Sequence, residues 1–135
     1  MNIGVIGSGQ VGQTLAKGLA SEGHAVRIGS REGNKLGDFT TQTAIAEARF
    51  FEVARDADVV ILAVKGTVAE ALMRELAPAL VGKVVLDTTN PIADVAPKDG
   101  ILQYFTAANE SLLERLQAAA PTSHLVKFLA RSATA

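Results

Sequence analysis

The chain has 135 residues, of which 48% are hydrophobic and 20% charged, and 13 Lys and Arg against 14 Asp and Glu give a formal net charge of −1. This length fits one compact domain, and the composition differs from the polar, strongly charged composition of disordered chains. Because the charge is balanced and no basic block is present, neither nucleic acid nor a membrane surface is an expected partner.

Cysteine is absent and the two histidines are His24 and His124. This composition argues against disulfides and against Cys-ligated or multi-histidine metal sites, so no metal is expected. The longest strictly apolar run, residues 59–64, is far shorter than the roughly 20 residues of a membrane span. The N-terminus also lacks the cationic start of a signal peptide. We therefore expect a cytoplasmic protein.

Segments typical of strands and helices alternate along the chain. Residues 2–6 predict a short buried strand, and apolar residues at four-residue spacing from residue 10 predict a helix that Gly23 ends in a left-handed cap. A second strand is predicted at residues 25–29. The polar stretch that follows is expected to begin with a loop around Gly33 and Gly37. A helix over residues 42–48 and a minor strand near residues 49–51 are then expected.

The second half of the chain carries the strongest strand pattern. Residues 58–64, DVVILAV, are continuous and β-branched, as in a strand covered on both faces. Thr67 and Glu70 predict a capping box for the next helix, which Pro78 ends. A strand at residues 83–87, a loop at 88–109, a helix at 111–120 and a strand at 124–127 complete the pattern. The alternation predicts an α/β fold with a doubly wound parallel sheet, in one domain over residues 1–127 with a short tail at 128–135.

A glycine-rich motif, G-x-G-x-x-G, connects the first strand to the first helix; it is formed by Gly7, Ser8, Gly9, Gln10, Val11 and Gly12. This position between strand and helix is the one that a dinucleotide-binding (Rossmann) fingerprint requires. Gly7 would make the tight turn, Gly9 would let the backbone approach a pyrophosphate, and Gly12 would let the helix pack closely on the strand. The N–H groups near Gln10 and Val11 would then face the phosphates. The alternative is a glycine-rich turn that binds nothing.

The residues after the second strand indicate which dinucleotide is bound. NAD-binding domains place an Asp or Glu about 20 residues beyond the glycines, where it accepts a hydrogen bond from the adenosine 2′-hydroxyl. Here that strand ends in Ser30 and Arg31, and Lys35 follows in the next turn. A hydroxyl and permanently charged donors suit a 2′-phosphate. We therefore predict NADP(H), the alternative being that Arg31 is an ordinary solvated surface residue.

The carboxyl ends of the fourth and fifth strands are further candidates, because open α/β sheets bind ligands at that edge. Asn90 offers a donor and an acceptor that suit a nicotinamide carboxamide or its ribose. Lys65 has two open roles, contact with a ribose or phosphate and plain solvation, whereas Asp87 is interpreted as a structural acceptor rather than a base. The candidates at this edge are Ala63, Val64, Lys65, Asn90 and Pro91.

No residue is predicted as a catalytic acid or base. His24 precedes the second strand and His124 begins the last one, so both would lie at the amino edge of the sheet, away from the ligand. Tyr104 and Phe105, in the long loop, would either line a substrate pocket or anchor that loop to the core.

The segments IGSGQVGQTLA, GSR with a following lysine, DVVILAVKG, VVLDTTNPI and HLVK together resemble the NADP-binding domain of the NADPH-dependent coenzyme F420 reductases, over residues 1–127. The resemblance implies NADPH bound by residues 7–12, its 2′-phosphate by Ser30, Arg31 and Lys35, and its nicotinamide near residues 63–65 and Asn90. It also implies direct hydride transfer between NADP and a stacked deazaflavin, without a dedicated acid or base.

The end of the chain departs from that family. Members typically continue the last strand as V-K-A-F-N and then a segment that shapes the acceptor pocket and the dimer contact, whereas this chain reads V-K-F-L-A-R-S and stops at Ala135. We expect a cofactor half-site that a second copy of the chain completes, in a homo-oligomer such as a dimer. The expected hydride acceptor is a small molecule, either a deazaflavin such as coenzyme F420 or a flavin.

Two other functions remain open from the sequence. One is a non-catalytic NADP(H)-binding module, either redox-sensing or truncated and inactive. The other is a reductase of imines or keto acids, which would need an acid at the open edge, where Lys65 is the convenient candidate.

Overall fold

The computed structural model describes residues 1–89 and 112–127 of the chain. The predicted loop after Thr89, including Asn90, Pro91, Tyr104 and Phe105, lies outside these ranges, as does the tail from residue 128. The described elements are β1 (Asn2–Ile6), α1 (Gln10–Ser21), β2 (Ala25–Ser30), α2 (Gly37–Thr43), β3 (Ala46–Arg49), α3 (Phe50–Asp56), β4 (Val59–Leu62), α4 (Gly66–Leu76), a short 3-10 helix (Ala77–Ala79), β5 (Val84–Asp87), α5 (Leu112–Ala119) and β6 (His124–Lys127).

The described strands form one six-stranded sheet in the order β3-β2-β1-β4-β5-β6, and every neighbouring pair is parallel. Each parallel connection therefore crosses over the sheet, and the strand order reverses between β1 and β4. The prediction of an α/β fold with a doubly wound parallel sheet is confirmed. The reversal separates the carboxyl ends of β1 and β4, which is where such sheets leave a crevice for a ligand.

Apolar side chains fill both faces of the sheet. Successive strand residues point to opposite faces, so Ile6 packs with α3, α4 and α5, whereas Val5 packs with α1 and the α2 region. The same alternation divides Val60 from Ile61 on β4. A strand covered on both faces needs apolar residues at every position, which explains why β1 and β4 were predictable from composition alone.

The region between β2 and β4 differs from its prediction. The helix comes earlier, at Gly37–Thr43, and the strand is Ala46–Arg49, so both the helix at 42–48 and the strand at 49–51 were wrong. Helix α3 was not predicted. The sequence AEAR of β3 has high helix propensity, but parallel pairing with β2 overrides this preference. Ala44, with φ +61°, ends α2 and lets the chain turn into that edge strand.

The capping box at the start of α4 was also wrong. The helix begins two residues earlier than the box requires, at Gly66, with extended Lys65 as its N-cap and no side-chain cap. The Glu70 carboxylate instead contacts Arg74 and Arg115, each at 2.9 Å. The helix ends at Leu76, and Pro78 lies in the 3-10 turn that follows, as predicted.

Candidate functional site

A groove with a volume of about 590 Å³ opens at the carboxyl edge of the sheet, beside the point where the strand order reverses. Its lining comes from the turn after β1 and the segments after β4 and β5. Eight of these residues were predicted: Gly7, Ser8, Gly9, Gln10, Val11, Ala63, Val64 and Lys65. The others are Phe50, Gly66, Thr67, Thr88 and Thr89.

Gly7 makes the turn that opens the groove. Its φ of +142° is one that L side chains rarely adopt, and a Cβ there would lie 2.1 Å from the carbonyl oxygen of Ala63. Its N–H donates to the carbonyl of Gly29 on β2, with an N–O distance of 3.1 Å. The chain therefore passes so close to β2 and β4 that a side chain at this position is excluded.

The other two glycines of the motif have opposite surroundings. A Cβ on Gly12 would lie 2.3 Å from the carbonyl oxygen of Gly7, so this glycine allows α1 to pack closely against the turn. A Cβ on Gly9 would meet no protein atom within 4 Å. The open space beside Gly9 is the space that a ligand at the head of the helix would need, because a pyrophosphate must approach the backbone there.

The N-terminus of α1 is electrostatically suited to an anion. Its N-cap, Gly9, provides no side-chain cap, and the first turn contains no acidic residue. The Gln13 N–H donates to the Gly9 carbonyl at 3.0 Å and begins the helical hydrogen bonds, so the preceding N–H groups have no helical acceptor. The Gln13 side-chain amide donates to the Ser8 carbonyl at 2.8 Å and fixes the turn. An anion at this end is favoured by these donors and by the helix dipole.

Phe50, the first residue of α3, forms part of the groove that sequence reasoning missed. Its ring lies against Gly29, where a Cβ would be only 3.1 Å from the ring carbon Cδ1. The guanidinium of Arg31 lies over the same ring, 5.6 Å from its centroid. Arg31 is 60% exposed and also reaches Glu75 at 4.0 Å, a pair too long and too exposed to hold it firmly. Arg31 thus lies next to the groove, at the carboxyl end of β2.

Ser30 and Glu47 form a hydrogen-bonded network beneath the turn that carries Arg31 and Lys35. Ser30 is fully buried; its hydroxyl donates to the Glu47 carboxylate and accepts the N–H of Gly33 at 2.8 Å. Burial raises the pKa of Glu47, but its hydrogen bonds lower the pKa by more than burial raises it. The pKa of Glu47 therefore lies below its usual value. A direct contact between Ser30 and a ligand would require the hydroxyl to leave Glu47. Lys35 is exposed on the same turn.

Asp87, at the end of β5, fixes the other side of the groove. Its buried carboxylate accepts the Thr89 N–H at 2.8 Å and the Thr89 hydroxyl at 2.5 Å, and Lys127 Nζ lies 3.4 Å away. Lys127 also donates to the Thr89 carbonyl. The neighbouring Thr88 donates its N–H and hydroxyl to the Leu62 carbonyl at 3.0 and 2.7 Å. These contacts agree with the interpretation of Asp87 as a structural acceptor.

A second groove, of about 530 Å³, lies at the opposite edge, where Asn2, His24 and Asp56 contribute to its lining. The amino ends of parallel strands are not the edge at which α/β sheets bind ligands. His124 likewise starts β6 at that edge. Within residues 1–89 and 112–127, no three His, Asp or Glu side chains gather as a metal site would require, and no helix is long and apolar enough to cross a membrane.

The parallel sheet, the glycine turn and the uncapped helix are the features of a Rossmann dinucleotide-binding fold. The chain belongs to the family described as NADP oxidoreductase, coenzyme F420-dependent, whose model matches residues 2–91. This match confirms the family resemblance read from the sequence motifs.

Similar proteins are consistent with that family. A curated glycerol-3-phosphate dehydrogenase [NAD(P)+] from Syntrophotalea carbinolica is 33% identical over 118 residues, covering 70% of this chain and 35% of that protein. The structure of a provisionally assigned F420-dependent NADP-reductase from Arthrobacter sp. FB24 is 31% identical, with a TM-score of 0.84, and the match covers 94% of this chain and 61% of that one. A hypothetical protein from Sinorhizobium meliloti, 23% identical with a TM-score of 0.75, shares the fold; the match covers 94% and 60%. The chain thus spans less than two thirds of these relatives.

Proposed function

We propose that this groove binds NADP(H), with the pyrophosphate at the N-terminus of α1. The observation that carries the proposal is the contrast among the glycines: a Cβ would collide with backbone at Gly7 and Gly12 but would meet open space at Gly9. The open space at Gly9 lies at the head of α1, where a pyrophosphate would have to approach the backbone. The donors of the first helical turn supply the complementary charge.

We propose that Arg31 and Lys35 receive the 2′-phosphate. Both are exposed, on the turn that follows β2, and Arg31 lies beside Phe50 of the groove wall. A guanidinium offers planar donors to phosphate oxygens, and an ammonium adds a compact positive charge. Both carboxylate oxygens of Glu47 already accept hydrogen bonds from the protein, which disfavours Glu47 as an acceptor for the 2′-hydroxyl that distinguishes NAD. This argument favours NADPH over NADH.

We propose that residues 63–65, with Asn90 and Pro91, hold the nicotinamide end. When bound, the cofactor supplies a hydride, and the chain contributes the binding surface and the exclusion of water. Among the described residues that line the groove, Lys65 alone is titratable. Transfer of a hydride to the ring of a deazaflavin or flavin leaves a delocalised anion that can take its proton from water, so the protein must mainly position the two rings. Reduction of a carbonyl or imine places the charge on one oxygen or nitrogen and needs a positioned proton donor. Because Lys65 is the one candidate proton donor among the described lining residues, we favour a flat small-molecule acceptor such as coenzyme F420.

The decisive experiment follows NADPH oxidation by the purified chain with coenzyme F420, flavin, quinone, imine and keto-acid acceptors, with NADH as the control donor. Turnover with coenzyme F420 and NADPH would support the proposal. Tight NADPH binding without turnover by any acceptor would favour the non-catalytic module instead. Reduction of an imine or keto acid that is lost in Lys65→Met would contradict the deazaflavin assignment.

A further inference from the structure

The Glu47 carboxylate lies beside the turn that carries Arg31 and Lys35, the residues proposed to bind the 2′-phosphate. Glu47 lies on β3, the strand next to β2, and its side chain reaches the turn formed by residues 31–36. Its Oε2 accepts the N–H of Lys35 at 2.8 Å and the Ser30 hydroxyl, and its Oε1 accepts the N–H of Leu36 at 2.8 Å. Both carboxylate oxygens are therefore used by the protein itself.

These hydrogen bonds connect three points of the turn. Ser30, the last residue of β2, directly precedes the turn, and Lys35 and Leu36 are its end. Gly33, in the middle of the turn, donates its N–H to the Ser30 hydroxyl. Gly33 has φ +81°, and a Cβ there would be 3.0 Å from the backbone nitrogen of Arg49 at the end of β3. The turn is therefore fixed to the edge strand both by the Glu47 carboxylate and by close backbone packing.

We infer that Glu47 is a positioning residue that selects dinucleotides carrying a 2′-phosphate on the adenosine ribose, an inference that rests on the proposed NADP(H) function. Glu47 fixes the turn on which Arg31 and Lys35 lie, so that less conformational entropy is lost when a phosphate binds between them. Its carboxylate is also withheld from the ligand, because its acceptor oxygens are already hydrogen-bonded. A carboxylate at the end of β2 favours NAD because it accepts a hydrogen bond from the ribose 2′-hydroxyl. The Glu47 carboxylate instead accepts hydrogen bonds from the turn itself and in this way favours NADP.

The ionisation of Glu47 supports this role. Burial raises its pKa, but the hydrogen bonds from Ser30, Leu36 and Lys35 outweigh burial and lower the pKa. Glu47 is therefore charged at neutral pH, and as a carboxylate it can accept all three of these hydrogen bonds at once.

The test compares E47A, E47Q and the control E52A, which removes an equal charge from an exposed position of α3. Calorimetry would measure the affinity of each variant for NADPH, NADH, 2′,5′-ADP and 5′-AMP, and hydrogen exchange would report on the amides of residues 31–36. We expect E47A to bind NADPH and 2′,5′-ADP about tenfold more weakly, the worth of roughly one hydrogen bond to a charged group. Affinity for NADH and 5′-AMP should change less than twofold.

Glutamine keeps the length of the side chain and one carbonyl oxygen for the Leu36 N–H, so E47Q should fall between wild type and E47A. E52A should behave like wild type. Faster amide exchange in the turn should accompany the loss in both Glu47 variants. If E47A does not fold, the ratio of NADPH affinity to NADH affinity in E47Q provides the same test.

Equal losses for NADPH and NADH, or no loss for either, would overturn the inference, because a merely structural role does not discriminate a 2′-phosphate. A wild-type protein that does not prefer NADPH would instead overturn the proposed NADP(H) function itself. The two failures are therefore distinguishable in one set of titrations.

Discussion

Replacing Arg31 by alanine should remove most of the preference for NADPH over NADH while leaving the fold intact. The side chain is 60% exposed; it lies over the Phe50 ring at 5.6 Å and reaches Glu75 at 4.0 Å. An exposed ion pair and an exposed cation–π contact each contribute at most about 1 kcal/mol. The melting temperature of Arg31→Ala should therefore stay close to that of wild type.

The effect on the cofactor is larger. Hydrogen bonds that involve a charged group contribute about 1.5–3 kcal/mol, and each 1.4 kcal/mol is a factor of ten in affinity, so losing one such contact weakens NADPH binding roughly 10- to 150-fold. The competing contact with Glu75 moves the expected value toward the lower end, because wild-type Arg31 must give up that pair. NADH lacks the 2′-phosphate, and its affinity should change much less.

Calorimetric titration of both cofactors measures this difference directly. Arg27→Ala is a matched control, because Arg27 carries the same charge at the amino end of β2, where it pairs with Asp56 at 2.9 Å. That control should alter the two affinities little and equally. Equal losses of NADPH and NADH in Arg31→Ala would refute the assignment of Arg31 to the 2′-phosphate.

Three further predictions test other parts of the domain. Gly9→Ala should melt like wild type yet bind both cofactors more weakly. Gly12→Ala, whose Cβ would lie 2.3 Å from a backbone oxygen, should lose about 1–3 kcal/mol of its free energy of unfolding. Identical melting curves for the two variants would contradict this difference. Asp87→Ala should lose about 1–3 kcal/mol in chemical denaturation by leaving buried donors unpaired, and Lys127→Met should lose less because Lys127 is partly exposed; wild-type stability in both would exclude that network. The folded-state pKa of Glu47 is lowered, so its contribution is fully present above the unfolded pKa of about 4.3 and is lost as pH falls through the folded pKa. The stability difference between wild type and Glu47→Gln should therefore shrink below pH 4, and a pH-independent difference would contradict the lowered pKa.

The parts of the site that lie close together in the sequence could be predicted from it. The spacing of Gly7, Gly9 and Gly12 carries its own geometry, because one strand, one turn and one helix determine where each glycine lies. The apolar composition of β1 and β4 likewise reflects burial on both faces. For these elements local pattern and tertiary environment agree.

The parts that depend on contacts between distant residues could not be predicted. Phe50 joins the groove only because α3 starts directly after a short edge strand whose sequence favours a helix. Glu47 is 17 residues from Ser30, and no local motif announces their hydrogen bond. Ser30 illustrates this: its position beside Arg31 predicts a ligand contact, but only the folded chain shows that it is fully buried and donates to a carboxylate from the next strand.

The two ends of the proposed cofactor site rely on different physical interactions, and this difference makes them separable. The proposed pyrophosphate end relies on backbone N–H groups, which substitutions other than proline leave in place, so it is most sensitive to replacement of a glycine. The adenosine end uses two exposed cations on a turn whose position depends on Glu47. Discrimination between NADPH and NADH can therefore change through residues of β3 and the turn while the glycine motif stays the same. A sequence scan limited to the glycines and to the end of β2 would miss such a change, because the carboxylate proposed to control it lies on the neighbouring strand, β3.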